Sequence, residues 1–310
     1  MTRVCVICGG VGAARMLNAL RAVVDPASIT AIVNTGDDVI LHGLHISPDL
    51  DTITYTLAGE IDPGRGWGLR DESWQAMATL GRLGGIDWFN LGDRDLGTHL
   101  YRTQRLAEGA TLSQVSREIA TGYSVDVDIR PVTDDPVRTR VTLASGGEVG
   151  FQEYFVRLAH DVAVAGVHFA GAADATPAPG VLEAIATADV VVLAPSNPVV
   201  SVAPVLAVPG IAAALAARRD TVVGVSPIIG GRALKGPADR LLRELGHEAT
   251  AVGVARFHRD VAGTMVIDTV DADLAPRIEE LGVRVVVTES VMSTPERAAT
   301  LAHSVLGAAR

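Results

Sequence analysis

Val4-Cys5-Val6-Ile7-Cys8-Gly9-Gly10-Val11-Gly12-Ala13-Ala14-Arg15 is the stretch whose reading decides the fold. Residues 3–8 form a short apolar run that reads as a buried strand. Residues 9–12 read as a glycine turn, and residues 13–24 as a helix with Met16, Leu17, Leu20 and Val23 at helical spacing. A second strand is predicted over 29–34. A strand, turn, helix and strand in this order imply a parallel sheet with a right-handed crossover. Glycines between strand and helix let a phosphate approach backbone N–H groups at the positive end of the helix. Gly9, Gly10, Val11, Gly12 and Arg15 are therefore nucleotide-binding candidates. The turn lacks the Gly-Lys-Ser/Thr ending of a P-loop and departs from the dinucleotide fingerprint.

Working outward, a polar loop (35–48) leads to a helix over 49–58, a Gly/Pro-rich loop through 68, and helices over 71–83, 96–107 and 112–121. Residues 125–132, 137–143 and 149–156 read as antiparallel strands around the Ser145-Gly146-Gly147 turn. Short buried strands return at 164–169, 190–194, 222–225, 263–268 and 283–288, and a last helix spans 295–309. The predicted fold class is α/β: one Rossmann-like, three-layer α/β/α domain over 1–310, with a mostly parallel sheet. A helical and β-hairpin insertion occupies about 59–160.

Hydrophobic residues make up 48% of the 310 and aromatics only 4%, so the core must be built from Val, Ile, Leu and Ala. The net charge of -10 repels polyanions, which argues against a nucleic-acid or anionic-membrane partner. Cys5 and Cys8 form a C-x-x-C inside a strand, where a spacing of three puts them on opposite faces, so buried reduced thiols are expected. The N-terminal apolar run is too short for a signal peptide. Pro204, Pro209 and Gly210 break the long uncharged stretch 198–217 into two short buried helices. A cytoplasmic location is expected.

The second strand ends in Asn34-Thr35-Gly36-Asp37-Asp38, and Pro48-Asp49-Leu50-Asp51-Thr52 follows. Ligands of open α/β sheets bind beyond the carboxyl ends of the strands, so these carboxylates face the same crevice as the glycine turn. Together they have the composition of a Mg²⁺ site, with Asp37, Asp38 and Asp51 as metal candidates. Asp49, like Ser47, is explained as a cap of the next helix. Asn90-Leu91-Gly92-Asp93-Arg94-Asp95 precedes a helix carrying His99, and taken alone it reads as a self-paired cap. His42, His45 and His99 lack zinc-ligand spacing. Pro195-Ser196-Asn197-Pro198 and Ser226-Pro227-Ile228-Ile229-Gly230 each follow a buried strand. Ser196, Asn197, Ser226 and Gly230 are therefore further nucleotide-binding candidates.

Seven motifs in order resemble the 2-phospho-L-lactate transferase family (CofD/FbiA type) of coenzyme F-420 biosynthesis. They are Gly9-Gly10-Val11-Gly12, Asn34 to Asp38, Ile46 to Thr52, Leu91 to Asp95, Thr133-Asp134-Asp135-Pro136-Val137, Pro195 to Pro198 and Ser226 to Gly230. The resemblance implies transfer of a phospholactyl or phosphoenolpyruvyl group from a guanosine diphosphate-linked donor to the ribityl hydroxyl of the deazaflavin Fo, releasing GMP. It implies Mg²⁺ as cofactor and a homodimer. By resemblance Asp37, Asp51, Asp93 and Arg94 are catalytic candidates. Asp51 and Asn90 map to the acceptor, with Trp88 and His99 beside them. The loop Asp62 to Gly68 looks like the actinobacterial branch and favours the enolpyruvyl donor. Two other readings are weighed: a nucleotide-sugar-binding regulator, whose loop usually reads Asp-Asp-Gly-Gly-Ser, and a nicotinamide-dependent oxidoreductase.

Overall fold

Alternation along the short apolar runs sets the layers. The computed structural model describes residues 1–309. Seven strands form the main sheet: β1 (Val4–Cys8), β2 (Ile29–Val33), β3 (Asp128–Pro131), β4 (Val190–Leu193), β5 (Val222–Val225), β6 (Thr264–Asp268) and β7 (Arg284–Thr288). They lie in the order β3-β2-β1-β4-β5-β6-β7, and every pair is parallel. The order reverses between β1 and β4, which opens a crevice at the carboxyl ends of the strands.

Successive strand residues face opposite sides. Val4, Val6 and Cys8 pack in a core with α1 (Gly10–Arg21), α2 (Pro48–Leu57) and the C-terminal helix Pro295–Ala308. Cys5 and Ile7 pack on the other side with Val181, Ile185, Ile211 and Leu215. The two cysteines therefore lie on opposite faces, buried and free, as their spacing predicts.

The middle of the chain departs from the sequence reading. Strand β3, expected in an antiparallel group, pairs in parallel with β2 at the edge of the main sheet. Pro131 is tolerated there because an edge strand leaves one side unpaired. Conversely, Val164–Ala170, expected in the parallel sheet, pairs antiparallel with Arg138–Leu143 in a separate three-stranded sheet with Glu148–Gly150. Residues 153–157 are a wide helical turn rather than strand, with the Phe151 and Phe155 rings stacked 5.5 Å apart at helical spacing. The expected insertion is thus two pieces, interrupted where β3 joins the main sheet. Its helical piece holds α3 (Gln75–Arg82), α4 (Asp95–Ala107) and α5 (Leu112–Gly122). The loop 35–48 contains a small hairpin, Val39–Leu41 with Leu44–Ile46, turned at His42 and Gly43, both with positive φ.

Candidate active site at the carboxyl end of the sheet

The glycine turn is tighter than its sequence suggests. Helix α1 begins at Gly10, whose φ is +71°, with Gly9 as its extended N-cap. A Cβ on Gly12 would fall 2.2 Å from the Pro195 carbonyl oxygen, so only glycine lets the loops after β1 and β4 touch. Ser196 braces this contact by donating its hydroxyl to the Gly9 carbonyl at 2.8 Å.

Asp49 is the main revision. Ser47 and Asp49 do not cap α2: Ser47 donates its hydroxyl to Asp38 Oδ2 at 2.8 Å. Asp49 instead reaches the Gly10 amide at the start of α1 and accepts Asn34 Nδ2 at 2.9 Å. The position expected to receive a phosphate therefore holds a carboxylate. The same Asn34 amide lies 3.4 Å from Asp37 Oδ1, and Gln152 Nε2 donates to the Asp37 carbonyl at 3.1 Å and to Oδ2 at 3.3 Å. Burial, then the charges of Asp49 and Asp38, push the Asp37 carboxyl well above the usual range. Burial also raises Asp38 to about 7 and Asp49 to about 6.

Asp51 lies in a different setting about half a turn along α2 from Asp49. Arg102 of α4, 1% exposed, donates to both its oxygens, with Nη1 at 3.2 Å from Oδ2. His99 Nδ1 stands 3.7 Å from Asp51 Oδ2, and His99 Nε2 is 3.4 Å from Asp95 Oδ1, which also accepts Tyr55 at 2.5 Å. Asp51 thus has a dedicated cation, whereas Asp37 and Asp49 have no ion-pair partner among the described residues. Arg102 was missed by the sequence reading. Asp95, His99 and Arg102 at i, i+4 and i+7 share one helix face, and that pattern was the available signal.

Several sequence candidates do not meet at the crevice. Asp93 accepts Ser73 Oγ and the Gln75 and Ala76 amides, which cap α3 and hold its carboxyl below the usual range. Arg94 is exposed, binding the Arg70 carbonyl at 2.6 Å and Glu60 at 3.4 Å. Asn90 is exposed, and Trp88 packs against Phe89 beside Leu41, Ile46 and Met77. Asn197 spends its side-chain oxygen on the Val199 and Val200 amides. Ser226 bonds within its own turn to Ile228, and the Gly230 amide is taken by Asp271. Arg15 stands exposed on α1. The side chains of Ser196, Asn197 and Ser226 and the Gly230 amide are therefore engaged within the protein.

Among the described residues no group of three or more His, Cys, Asp or Glu is arranged as a metal cluster. Magnesium, however, is commonly held by one or two carboxylates plus substrate phosphate oxygens. Asp37 and Asp49 fit that demand: two buried carboxylates around one amide, each destabilised as an anion. The already paired Asp51 fits it less well.

A model of the 2-phospho-L-lactate transferase CofD family matches residues 4–292. The chain is 43% identical over 309 residues to a phosphoenolpyruvate transferase of Streptomyces griseus subsp. griseus, covering 98% of this chain and 97% of that one. It is 45% identical over 313 residues to the enzyme of that name from Kitasatospora aureofaciens, covering 99% and 98%. Among solved structures, a UPF0052-family protein of Bacillus halodurans aligns over 98% of both chains with a TM-score of 0.67 at 19% identity, a likeness of fold. With motifs, sheet order and relatives in agreement from end to end, the chain belongs to the CofD family of transferases.

Proposed function

We propose that the protein transfers a phosphoenolpyruvyl group from a guanosine diphosphate-linked donor to the terminal ribityl hydroxyl of Fo, releasing GMP. The observation that carries this reading is the uncompensated pair Asp37 and Asp49, lodged at the glycine turn of a switch-point crevice. A site for a bare anion would not place a carboxylate on the helix-start amide. A site for a diphosphate arriving with a divalent cation would. The relatives, phosphoenolpyruvate transferases by name, supply the three-carbon group.

In this reading Asp37 and Asp49 would hold Mg²⁺, which when bound would supply positive charge at the diphosphate. Asn34 fixes both carboxylates through one amide, and Gln152 fixes Asp37 from the start of the helical turn that follows the small sheet. The acceptor oxygen attacks the phosphorus that bears the enolpyruvyl group. The bond from that phosphorus to the GMP oxygen breaks, and GMP leaves with the electron pair. The hydroxyl proton passes to a carboxylate, and Asp38, raised to about 7 by burial, is matched to that task at neutral pH. Arg102 keeps Asp51 fixed and compensated alongside.

The test is to incubate the protein with Fo and either the enolpyruvyl or the lactyl guanosine-linked donor, with Mg²⁺ or with excess EDTA. GMP and phosphorylated deazaflavin should appear together, faster with the enolpyruvyl donor, and only with the metal. Absence of GMP with both donors would refute the function, and full activity in EDTA would refute the metal.

A further inference from the structure

Two loops far apart in sequence meet at Gly66. One is the hairpin 61–69, closed by a bridge between Ile61 and Leu69. Its tip is bonded from within: Asp62 accepts the Gly64 amide at 2.9 Å and the Arg65 amide at 2.8 Å, and the Asp62 carbonyl accepts the Gly66 amide at 2.8 Å. The Arg65 guanidinium is spent there as well. It pairs with Asp62 at 3.0 Å, donates to the Leu69 carbonyl at 2.8 Å, and lies 5.5 and 5.3 Å from the ring centres of Trp67 and Trp74. The other loop, 230–237, follows β5 and carries Lys235, the only lysine of the chain. A Cβ on Gly66 would lie 2.9 Å from Lys235 Nζ, so the ammonium rests against the hairpin where no side chain stands. That ammonium has no ion-pair or hydrogen-bond partner among the described residues. Two chains of contact tie Lys235 to the carboxylates. A Cβ on Gly236 would lie 4.0 Å from the Phe155 ring, and Phe155 stacks on Phe151 beside Gln152, which holds Asp37. Ala238 packs in one cluster with Val200, whose carbonyl lies 3.5 Å from the Asn34 amide between Asp37 and Asp49.

We infer that Lys235 is a specificity-determining residue that binds the carboxylate of the donor's three-carbon group. The inference rests on the donor proposed above. An enolpyruvyl group carries a carboxylate that GDP lacks. In a chain of net charge -10, and in a crevice that already buries Asp37 and Asp49, a further anion beside a diphosphate needs a cation of its own. Arg65 is committed within its hairpin and Arg102 to Asp51, whereas Lys235 is committed to nothing. Its ammonium sits on a flexible four-carbon stem and can turn from Gly66 to a ligand without breaking a bond. The hairpin bounds the space behind it, so the charge is presented from a fixed side.

Calorimetry on the full-length protein with Mg²⁺ tests this with three ligands: GDP, the enolpyruvyl guanosine-linked donor, and the same donor with its carboxylate masked as the methyl ester. The unaltered protein should bind the donor about ten- to a hundredfold more tightly than the ester, the range of a charge-assisted hydrogen bond. Lys235→Met, at an exposed position, should lower donor affinity to that of the ester and leave the ester and GDP unchanged. Arg232→Met removes another exposed, unpaired charge from the same loop and should leave the preference in place. A donor-over-ester preference that survives Lys235→Met would overturn the inference and leave the transferase reading intact. Equal losses for GDP and donor would give Lys235 to the diphosphate, and an equal loss of preference in both variants would reduce it to a long-range charge; either result overturns the inference. Failure of the unaltered protein to bind the donor at all would overturn both readings.

Discussion

Replacing Asp49 by Asn should make the protein without metal more stable, even though Asp49 is central to the proposed site. The carboxyl is 7% exposed, and burial raises it from 3.8 to about 6 when folded. Between those values the unfolded chain has released its proton and the folded chain has not, so stability falls as pH rises through this window. Above pH 6 the penalty is complete, and at 1.36 kcal/mol per unit it amounts to at most about 3 kcal/mol. Asparagine is never charged and can still accept the Asn34 amide through its own side-chain oxygen. In EDTA at pH 8 the variant should therefore melt higher by up to roughly 6 °C, at about 2 °C per kcal/mol for a chain of this size. The gain should shrink to nothing by about pH 4. Adding Mg²⁺ with GDP should stabilise the unaltered protein by mass action and leave the variant unmoved, which reverses the order of the two melting curves. Differential scanning fluorimetry across pH, with and without metal and nucleotide, reads all of this. A variant that melts lower in EDTA at pH 8, or gains equally at pH 4 and pH 8, would refute the argument.

Asp37→Asn should lower kcat by at least about a hundredfold, as loss of a principal charge-holding group does, with melting temperature in EDTA unchanged or raised. Arg102→Met should destabilise by about 3–5 kcal/mol in urea titration, because it leaves Asp51 buried beside His99 without its cation. Gly12→Ala should abolish GDP binding in calorimetry, since the added carbon meets the Pro195 carbonyl and pushes the two loops apart. His258, fully buried, is lowered from 6.5 to about 4, so stability is full above pH 6.5 and is lost as pH falls toward 4, by roughly 3 kcal/mol. His258→Gln should flatten that acid limb in melting experiments, and an unchanged limb would assign the acid loss to other groups.

What the sequence made legible is what short-range patterning controls. The apolar runs, the glycine turn and α1 with its buried stripe are local, and β4 to β7 fell close to their expected ranges. Pairing choice is not local. Nothing in 128–131 says that it will seek β2 rather than its neighbour in sequence, and nothing in 164–170 says that it will leave the parallel sheet. The same distinction governs the site. The carboxylates of the Asn34 to Asp38 and Pro48 to Thr52 motifs were visible as a group, but their division of labour depends on Arg102, fifty-one residues from Asp51, and on Asn34 bridging to Asp49. Asp49 resembled a cap because it stands in the first turn of a helix. It is turned away from that role by Ser47 bonding to Asp38 and by the Gly10 amide opposite. Asp93 and Arg94 stand apart from these carboxylates for the converse reason, since their partners lie about twenty residues back.

Burial of both thiols in the central strand gives the protein a built-in reporter. Cys5 and Cys8 are at most 1% exposed, and burial pushes Cys5 up to about 12 and Cys8 well above its ordinary value, so neither is a nucleophile while β1 stays between β2 and β4. An alkylating reagent can reach them only when the middle of the sheet comes apart. Their rate of modification under native conditions therefore counts global openings, with fraying ends and loop motions left out. Stability under working conditions becomes measurable by mass spectrometry, without denaturant, label or engineered site.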